Sequence, residues 1–222
     1  WMPKSTEHTH CALCESDEGF TVAEVGRNNI PIRNVACKTC GLVYISPRPS
    51  ESEMADFYRI HYRTQPNMLP KRLNDGRLAQ PNTPEYDLAV EERGQRQANM
   101  ALRMGETKPG DRVLDIGCRR GQTLLAMKGK VDIEAVGIEP GETDAQMGIE
   151  KGIDIHVGVM ETYDPGERKF DQIQMFHVLE HMHDPVATLI RLRSWLKPTG
   201  RLVIEVPDMM KPYGGLQFFF QY

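Results

Sequence analysis

From residue 111 onward, five strand-like runs alternate with helical patterns: Arg112–Ile116, Ile133–Glu139, Asp154–Val157, Phe170–Phe176 and Gly200–Val206. Strands alternating with helical stretches in this way predict an α/β fold with a parallel, doubly wound, Rossmann-like sheet. Ligands in such sheets bind beyond the C-terminal ends of the strands. The residues at those ends are where chemistry is to be sought.

The first end reads Asp115-Ile116-Gly117-Cys118-Arg119-Arg120-Gly121 and opens onto a helical stretch from Gln122. Glycines in a strand-to-helix turn let backbone approach a ligand closely, as nucleotide-binding units require. The second run ends in Glu139, and a carboxylate there can accept both hydroxyls of a ribose. The third leads to Gly158-Val159-Met160-Glu161. The fourth ends at Phe176-His177-Val178-Leu179-Glu180-His181, and Asp184-Pro185 then supplies an N-cap and first-turn pair for a helix. Leu196-Lys197-Pro198-Thr199-Gly200 turns into the fifth run.

Upstream, four of the five cysteines form two pairs, Cys11-x-x-Cys14 and Cys37-x-x-Cys40, with 22 residues between them. Two such knuckles can complete a tetrahedral four-thiolate site with no open position, so a structural Zn2+ is expected. The alternatives are free thiols or a redox pair, and the latter needs a thioredoxin-like context that is absent. Between the knuckles, Phe20–Val25 and Ile30–Val35 predict a hairpin, and Leu42–Pro49 reads as a strand ended by prolines. Ser50 and Glu53 have capping-box spacing, with Met54, Phe57 and Tyr58 as the inward stripe of a short helix. A segment this small buries little core, and metal would supply the missing stability.

The expected division is a zinc ribbon with a short helix over 1–58, a linker or lid over 59–84, and the ligand-binding domain over 85–222. Prolines 66, 70, 81 and 84 with Lys71, Arg72 and Arg77 suit a solvated connection, or a lid meeting an anionic substrate. A helical stripe follows from Pro84 to about Met104. Lys and Arg number 27 against 31 Asp and Glu, a formal charge of −4, which argues against a nucleic-acid partner. No apolar run approaches the ~20 residues of a membrane-spanning helix, so a cytoplasmic protein with no membrane partner is expected.

The segments "VLDIGCRRG", "VGIEP", "FDQIQMFHVLEHMHDP" and "LKPTGRLVIEVP", in this order and spacing, resemble the class I S-adenosylmethionine-dependent methyltransferases. The N-terminal order CxxC, CxxCG, "GLVYISPRP" and a helix ending "FYRIHY" resembles the zinc module of a bacterial group of these enzymes, many of which act on sugars or other small metabolites. The resemblance implies S-adenosyl-L-methionine as cofactor. Asp115, Gly117, Cys118 and Gly121 would shape the pocket for its methionine end, and Glu139 would hold the ribose. Met160 and Glu161 would flank the adenine, and Phe176 and His177 would lie near the methyl group.

Two departures from the family pattern stand out. The family reads Gly-Cys-Gly-x-Gly, and here Arg119 replaces the middle glycine. If that position needs positive φ, an arginine costs about 1 kcal/mol, and otherwise it can crowd the cofactor. The family sheet also continues through two further strands, whereas only Asp208 to Tyr222 follow the fifth run. A shortened chain, or a partner or second copy completing the sheet, is expected from that comparison. "GGLQFFFQY" resembles the segment after the fifth strand in relatives with this zinc module.

His177, Glu180 and His181 admit three readings. The inverted zinc-protease pattern needs both histidines on one helix face, whereas here the motif starts at a strand end. The Glu-x-x-Glu-His cation cluster of quinone-biosynthesis O-methyltransferases lacks its first glutamate, replaced by His177, which disfavours a hard metal. The preferred reading is acid–base, with His181 oriented by Glu180 removing the acceptor's proton; packing or capping of the loop is the alternative. The expected activity is methyl transfer to a small molecule, a sugar nucleotide or surface-glycan precursor. The alternatives are a zinc-ribbon RNA methyltransferase and a non-catalytic cofactor-binding scaffold.

Overall fold

A computed structural model describes residues 4–25, 31–57, 71–73, 75–80 and 83–207. They fall into two compact units, the first drawn mainly from Trp1–His61 with His183–Thr188, the second from Tyr62–Met182 and Leu189–Val206. Among the described residues, no helix is long and apolar enough to cross a membrane.

In the first unit, β1 (Thr6–Glu7) pairs antiparallel with β5 (Arg48–Pro49), while β2 (Gly19–Val25), β3 (Pro31–Cys37) and β4 (Val43–Ile45) form an antiparallel sheet in that order. The predicted hairpin is therefore the β2–β3 pair, and the single strand expected over Leu42–Pro49 is two short ones in different sheets. Helix α1 (Glu51–Asp56) starts at Ser50, but the capping box does not form. The Ser50 hydroxyl lies 3.0 Å from that of Ser5 and 3.2 Å from that of Ser52, so it is engaged elsewhere. His183 is half-buried in this unit, with Nε2 2.9 Å from the Glu7 carboxylate. The expected inward position at Tyr58 lies outside the described residues, as does most of the expected linker.

The second unit opens with a two-stranded hairpin, β6 (Lys71–Arg72) and β7 (Leu78–Ala79), inside the stretch read as linker. Leu73 and Ala79 are buried with Tyr86, Ala89 and Val90 of helix α2 (Pro84–Gly105), so this stretch has a small core of its own. Thr83 caps α2 by accepting the Tyr86 N–H (3.2 Å), and Pro84 occupies its first turn. Then follow β8 (Arg112–Ile116), α3 (Gln122–Lys128), β9 (Glu134–Glu139), α4 (Glu142–Ile149), β10 (Asp154–Val157), β11 (Phe170–Phe176), α5 (Pro185–Trp195) and β12 (Leu196–Glu205). The last strand begins earlier than expected, and its register jumps between the Leu196 pair and the Arg201 pair.

The five strands β8 to β12 form one parallel sheet in the order β10-β9-β8-β11-β12. Period-two alternation sorts their residues into two layers. Val113, Ala135 and Ile155 pack with Ala98 and Ala101 of α2 and Leu124 and Met127 of α3. Leu114, Ile116, Val136, Ile138 and Ile173 pack with Leu192 and Trp195 of α5. Burial on both faces is why the inner strands β8, β9 and β11 are mostly apolar, while β10 and β12, at the ends of the order, are more exposed. Gln172 and Gln174 of β11 are buried exceptions, the Gln172 amide donating to Gln174 Oε1 (2.9 Å) while Thr107 donates to Gln172 Oε1 (2.7 Å). Strand order reverses between β8 and β11, and a crevice at that reversal is where such sheets bind ligands.

Candidate functional site

Two sites emerge, one in each unit. In the first, the Sγ atoms of Cys11, Cys14, Cys37 and Cys40 all lie within 4.8 Å of one another, with Cys11–Cys40 at 3.4 Å and Cys14–Cys37 at 3.6 Å. A tetrahedral ion about 2.3 Å from each thiolate places sulfurs roughly 3.8 Å apart, so the set fits zinc. The knuckles are built alike. Each turns back on its first cysteine, Glu15 N–H donating to Cys11 O (2.8 Å) and Gly41 N–H to Cys37 O (3.0 Å). Each also closes on a left-handed residue, Glu15 at φ 59° and Gly41 at φ 80°. Backbone hydrogen bonds from Cys40 and Thr39 bring the Cys37 thiol down to about 6 despite its burial. Such N–H···S bonds favour the thiolate a metal requires.

In the second unit, the turn after β8 is stitched to β9. Gly117 and Cys118 both donate to Ile138 O, at 2.8 and 3.1 Å. Gly117 sits at φ 71°, and a Cβ there would meet Val178 Cγ2 at 2.6 Å, so only glycine lets this turn approach the loop after β11. The Cys118 thiol is buried and faces Gly137, where an added Cβ would fall 2.4 Å from Sγ. Cys118 thus offers the site backbone rather than its thiol. Gly121, at φ 67°, closes the turn with its N–H on Cys118 O (2.9 Å).

Glu139 is 3% exposed and gripped at both oxygens. Oε2 accepts the Arg119 N–H (2.9 Å) and Oε1 the Gly141 N–H (2.8 Å). Its carbonyl accepts the Gly158 N–H (3.0 Å), which draws in the loop after β10. On that loop Met160 is buried beside Ile138 in one sheet layer and Glu161 is exposed. Asp115 is fully buried, and burial pushes its carboxyl up to about 8, the Gln174 amide opposing the rise and the Glu139 carboxylate adding to it. Asp115, Gly117, Gly121 and Glu139 are therefore brought to one end of the sheet.

Arg119 has φ 54°, so the position does require the left-handed conformation. Its guanidinium reaches Asp144 on α4, with Nε 3.6 Å from Oδ2. Arg120 spans two helices, Nε donating to Asp144 Oδ1 and Nη1 to Asp87 Oδ1 of α2, both at 2.9 Å.

Just after β11, His177 is also left-handed, at φ 57°. Its Nε2 lies 2.7 Å from Glu205 Oε1, and its Nδ1 3.7 Å from Glu180 Oε1. The Gln97 amide of α2 donates to Glu205 Oε1 (3.1 Å), and the Thr123 hydroxyl to Gln97 Oε1 (3.4 Å). The His177 hydrogen bond holds the Glu205 carboxyl below its usual range, with Gln97 assisting and burial opposing. Phe176 is half-buried at the end of β11. Glu180 and His181 sit in a single 3-10 turn, Leu179–His181, in which His181 N–H donates to Val178 O (2.9 Å). Glu180 is thus oriented toward His177. Among the described residues, only the four cysteines bring three or more metal-type ligands together, and the His-x-x-Glu-His motif does not.

Glu205, Gln97 and Asp144 escaped the sequence reading. Glu205 carried one usable signal, a carboxylate at the C-terminal end of a parallel strand. Gln97 and Asp144 carried none, as amides and carboxylates within amphipathic helices.

Residues 88–214 match a family model described as a methyltransferase domain. A ubiquinone biosynthesis O-methyltransferase of Rhodopseudomonas palustris (strain BisB5) is 35% identical over 101 residues, 43% of this chain and 39% of that protein. Phosphoethanolamine N-methyltransferase 3 of Arabidopsis thaliana is 31% identical over 107 residues, 46% of this chain and 22% of that protein. The matched region spans about two fifths or less of these relatives. Among solved structures, coclaurine N-methyltransferase bound to N-methylheliamine and SAH superposes with a TM-score of 0.48 at 18% identity, over 57% of this chain and 38% of that one.

Proposed function

Because the chain belongs to the methyltransferase domain family, we propose that it transfers the methyl group of S-adenosylmethionine to a small-molecule acceptor, a sugar nucleotide or surface-glycan precursor. The observation that carries this reading is the grip on Glu139. Each of its oxygens accepts a backbone N–H, which fixes the carboxylate at the C-terminal end of β9. A carboxylate held at that strand end suits ribose hydroxyls, a placement that fits the cofactor. The relatives named for ubiquinone biosynthesis and phosphoethanolamine support a small acceptor, as does the formal charge of −4.

The cofactor, when bound, supplies a methyl group on a sulfonium. The chain's own residues must then hold the acceptor in line and take its proton. Glu139 would bind the ribose, with Asp115, Gly117, Cys118 and Gly121 framing the methionine end and Met160 and Glu161 beside the adenine. Phe176 and His177 would line the reacting end. His181 is our candidate base for the acceptor's proton, with Glu180 beside it in the same turn. His177, anchored on Glu205, would fix the loop that carries both.

Calorimetric titration with S-adenosylmethionine and its demethylated product tests the cofactor assignment. Binding to the wild-type chain, weakened roughly 10- to 100-fold by Glu139→Ala on the scale of a charged hydrogen bond, is expected. No binding of either compound would sink the proposal. Incubation with labelled cofactor and a pool of sugar nucleotides tests the acceptor. Label entering RNA, with salt-sensitive RNA binding, would point to a nucleic-acid acceptor instead. Binding without turnover on any pool would favour a scaffold.

A further inference from the structure

Arg119 has φ 54°, a left-handed conformation that glycine adopts freely and a residue with a side chain does not. Something must hold it there. The side chain is mostly buried and its Nε lies 3.6 Å from Asp144 Oδ2, on a carboxylate that is itself only 9% exposed. Arg120 binds the other oxygen of Asp144 and reaches Asp87, so two arginines and two aspartates clamp the turn between α2 and α4. The held backbone does one thing for the site: the Arg119 N–H donates to Glu139 Oε2.

We propose that Arg119 is a positioning residue whose ion pair with Asp144 locks residue 119 at positive φ and so fixes Glu139 for the ribose hydroxyls. The inference rests on the cofactor assignment above. Release of the side chain lets residue 119 relax toward right-handed backbone, which turns the peptide planes beside it and carries the N–H away from Glu139. A glycine at the same place needs no anchor. The guanidinium, turned to α4, serves the loop rather than the ligand.

The test is calorimetry on the whole chain with the demethylated cofactor and with its 2′-deoxy analogue. Arg119→Ala keeps the strain and loses the anchor, so affinity for the demethylated cofactor should fall about tenfold, the scale of one hydrogen bond to a charged group. Affinity for the 2′-deoxy analogue should fall by clearly less, since Glu139 then has one hydroxyl rather than two to hold. Arg119→Gly should stay close to wild type, and Asp144→Asn should follow Arg119→Ala, which keeps the test available if one variant does not fold. Equal loss for both ligands would reduce Arg119 to a structural role and overturn the proposal. So would an unchanged Arg119→Ala, or tighter binding by both Arg119 variants, the mark of a residue that crowds the cofactor. A wild-type chain that binds neither ligand overturns the cofactor assignment itself, an outcome distinct from these.

Discussion

Among the described residues of the first unit, Cys11, Val35, Ala36, Cys37 and Pro49 are buried, while Leu13, Phe20, Val22 and Val25 stand exposed. The second unit instead packs Leu114, Ile173, Met175, Leu192 and their neighbours into continuous layers on both faces of a sheet. One unit is organised around four sulfurs, the other around the two apolar layers of its sheet. The comparison teaches where each kind of stability resides. The first unit's should reside in the metal, and the second unit's should be indifferent to it.

Three experiments would break or sharpen that contrast. Chelation, or Cys37→Ser, should have the largest effect, because a structural zinc site contributes on the order of 10 kcal/mol. Hydrogen exchange should become fast over β3 while β8 and β11 stay protected; equal loss in both units would erase the distinction. Leu114→Ala removes a side chain with no exposed surface and should cost about 2–5 kcal/mol in urea unfolding of the second unit. Zinc content should not change, and a variant that lost its metal would show the units to be one cooperative body.

The smallest effect, read per pH unit, concerns pH. The Asp115 carboxyl keeps its proton to about pH 8 in the folded chain, but in the unfolded chain it releases it near pH 4. Between those values the folded state binds the extra proton, so this group makes stability fall as pH rises, by at most about 1.4 kcal/mol per pH unit. Asp115→Asn should flatten that slope in the exchange of β8 and leave β3 unaffected. A slope unchanged in the variant would place its origin elsewhere.

Much of this architecture was legible in the chain. Three of the five sheet strands, Arg112–Ile116, Asp154–Val157 and Phe170–Phe176, have the predicted limits; β8 and β11 are central and so largely apolar on both faces, whereas β10 lies at the sheet edge. The CxxC spacing was equally legible, since a knuckle is a local turn. Ser50 misled for a related reason: capping-box spacing permits a bond but cannot show that Ser5, 45 residues away, competes for the hydroxyl.

By itself, then, the sequence determined whatever depends on neighbours along the chain: strand periodicity, the glycine turn, the paired cysteines and the Asp184 cap, whose Oδ1 accepts the Ala187 N–H at 2.9 Å. The tertiary structure alone decided the pairs that meet through space. Glu205 finds His177 across 28 residues and Gln97 across 108, and Arg119 finds Asp144 on a different helix. A polar side chain's partner is set by where the sheet delivers each strand end, and no local pattern encodes that delivery. For Arg119 the difference is consequential, since the residue that looks in sequence like a flaw in the glycine turn is seen in the fold to be anchored away from it.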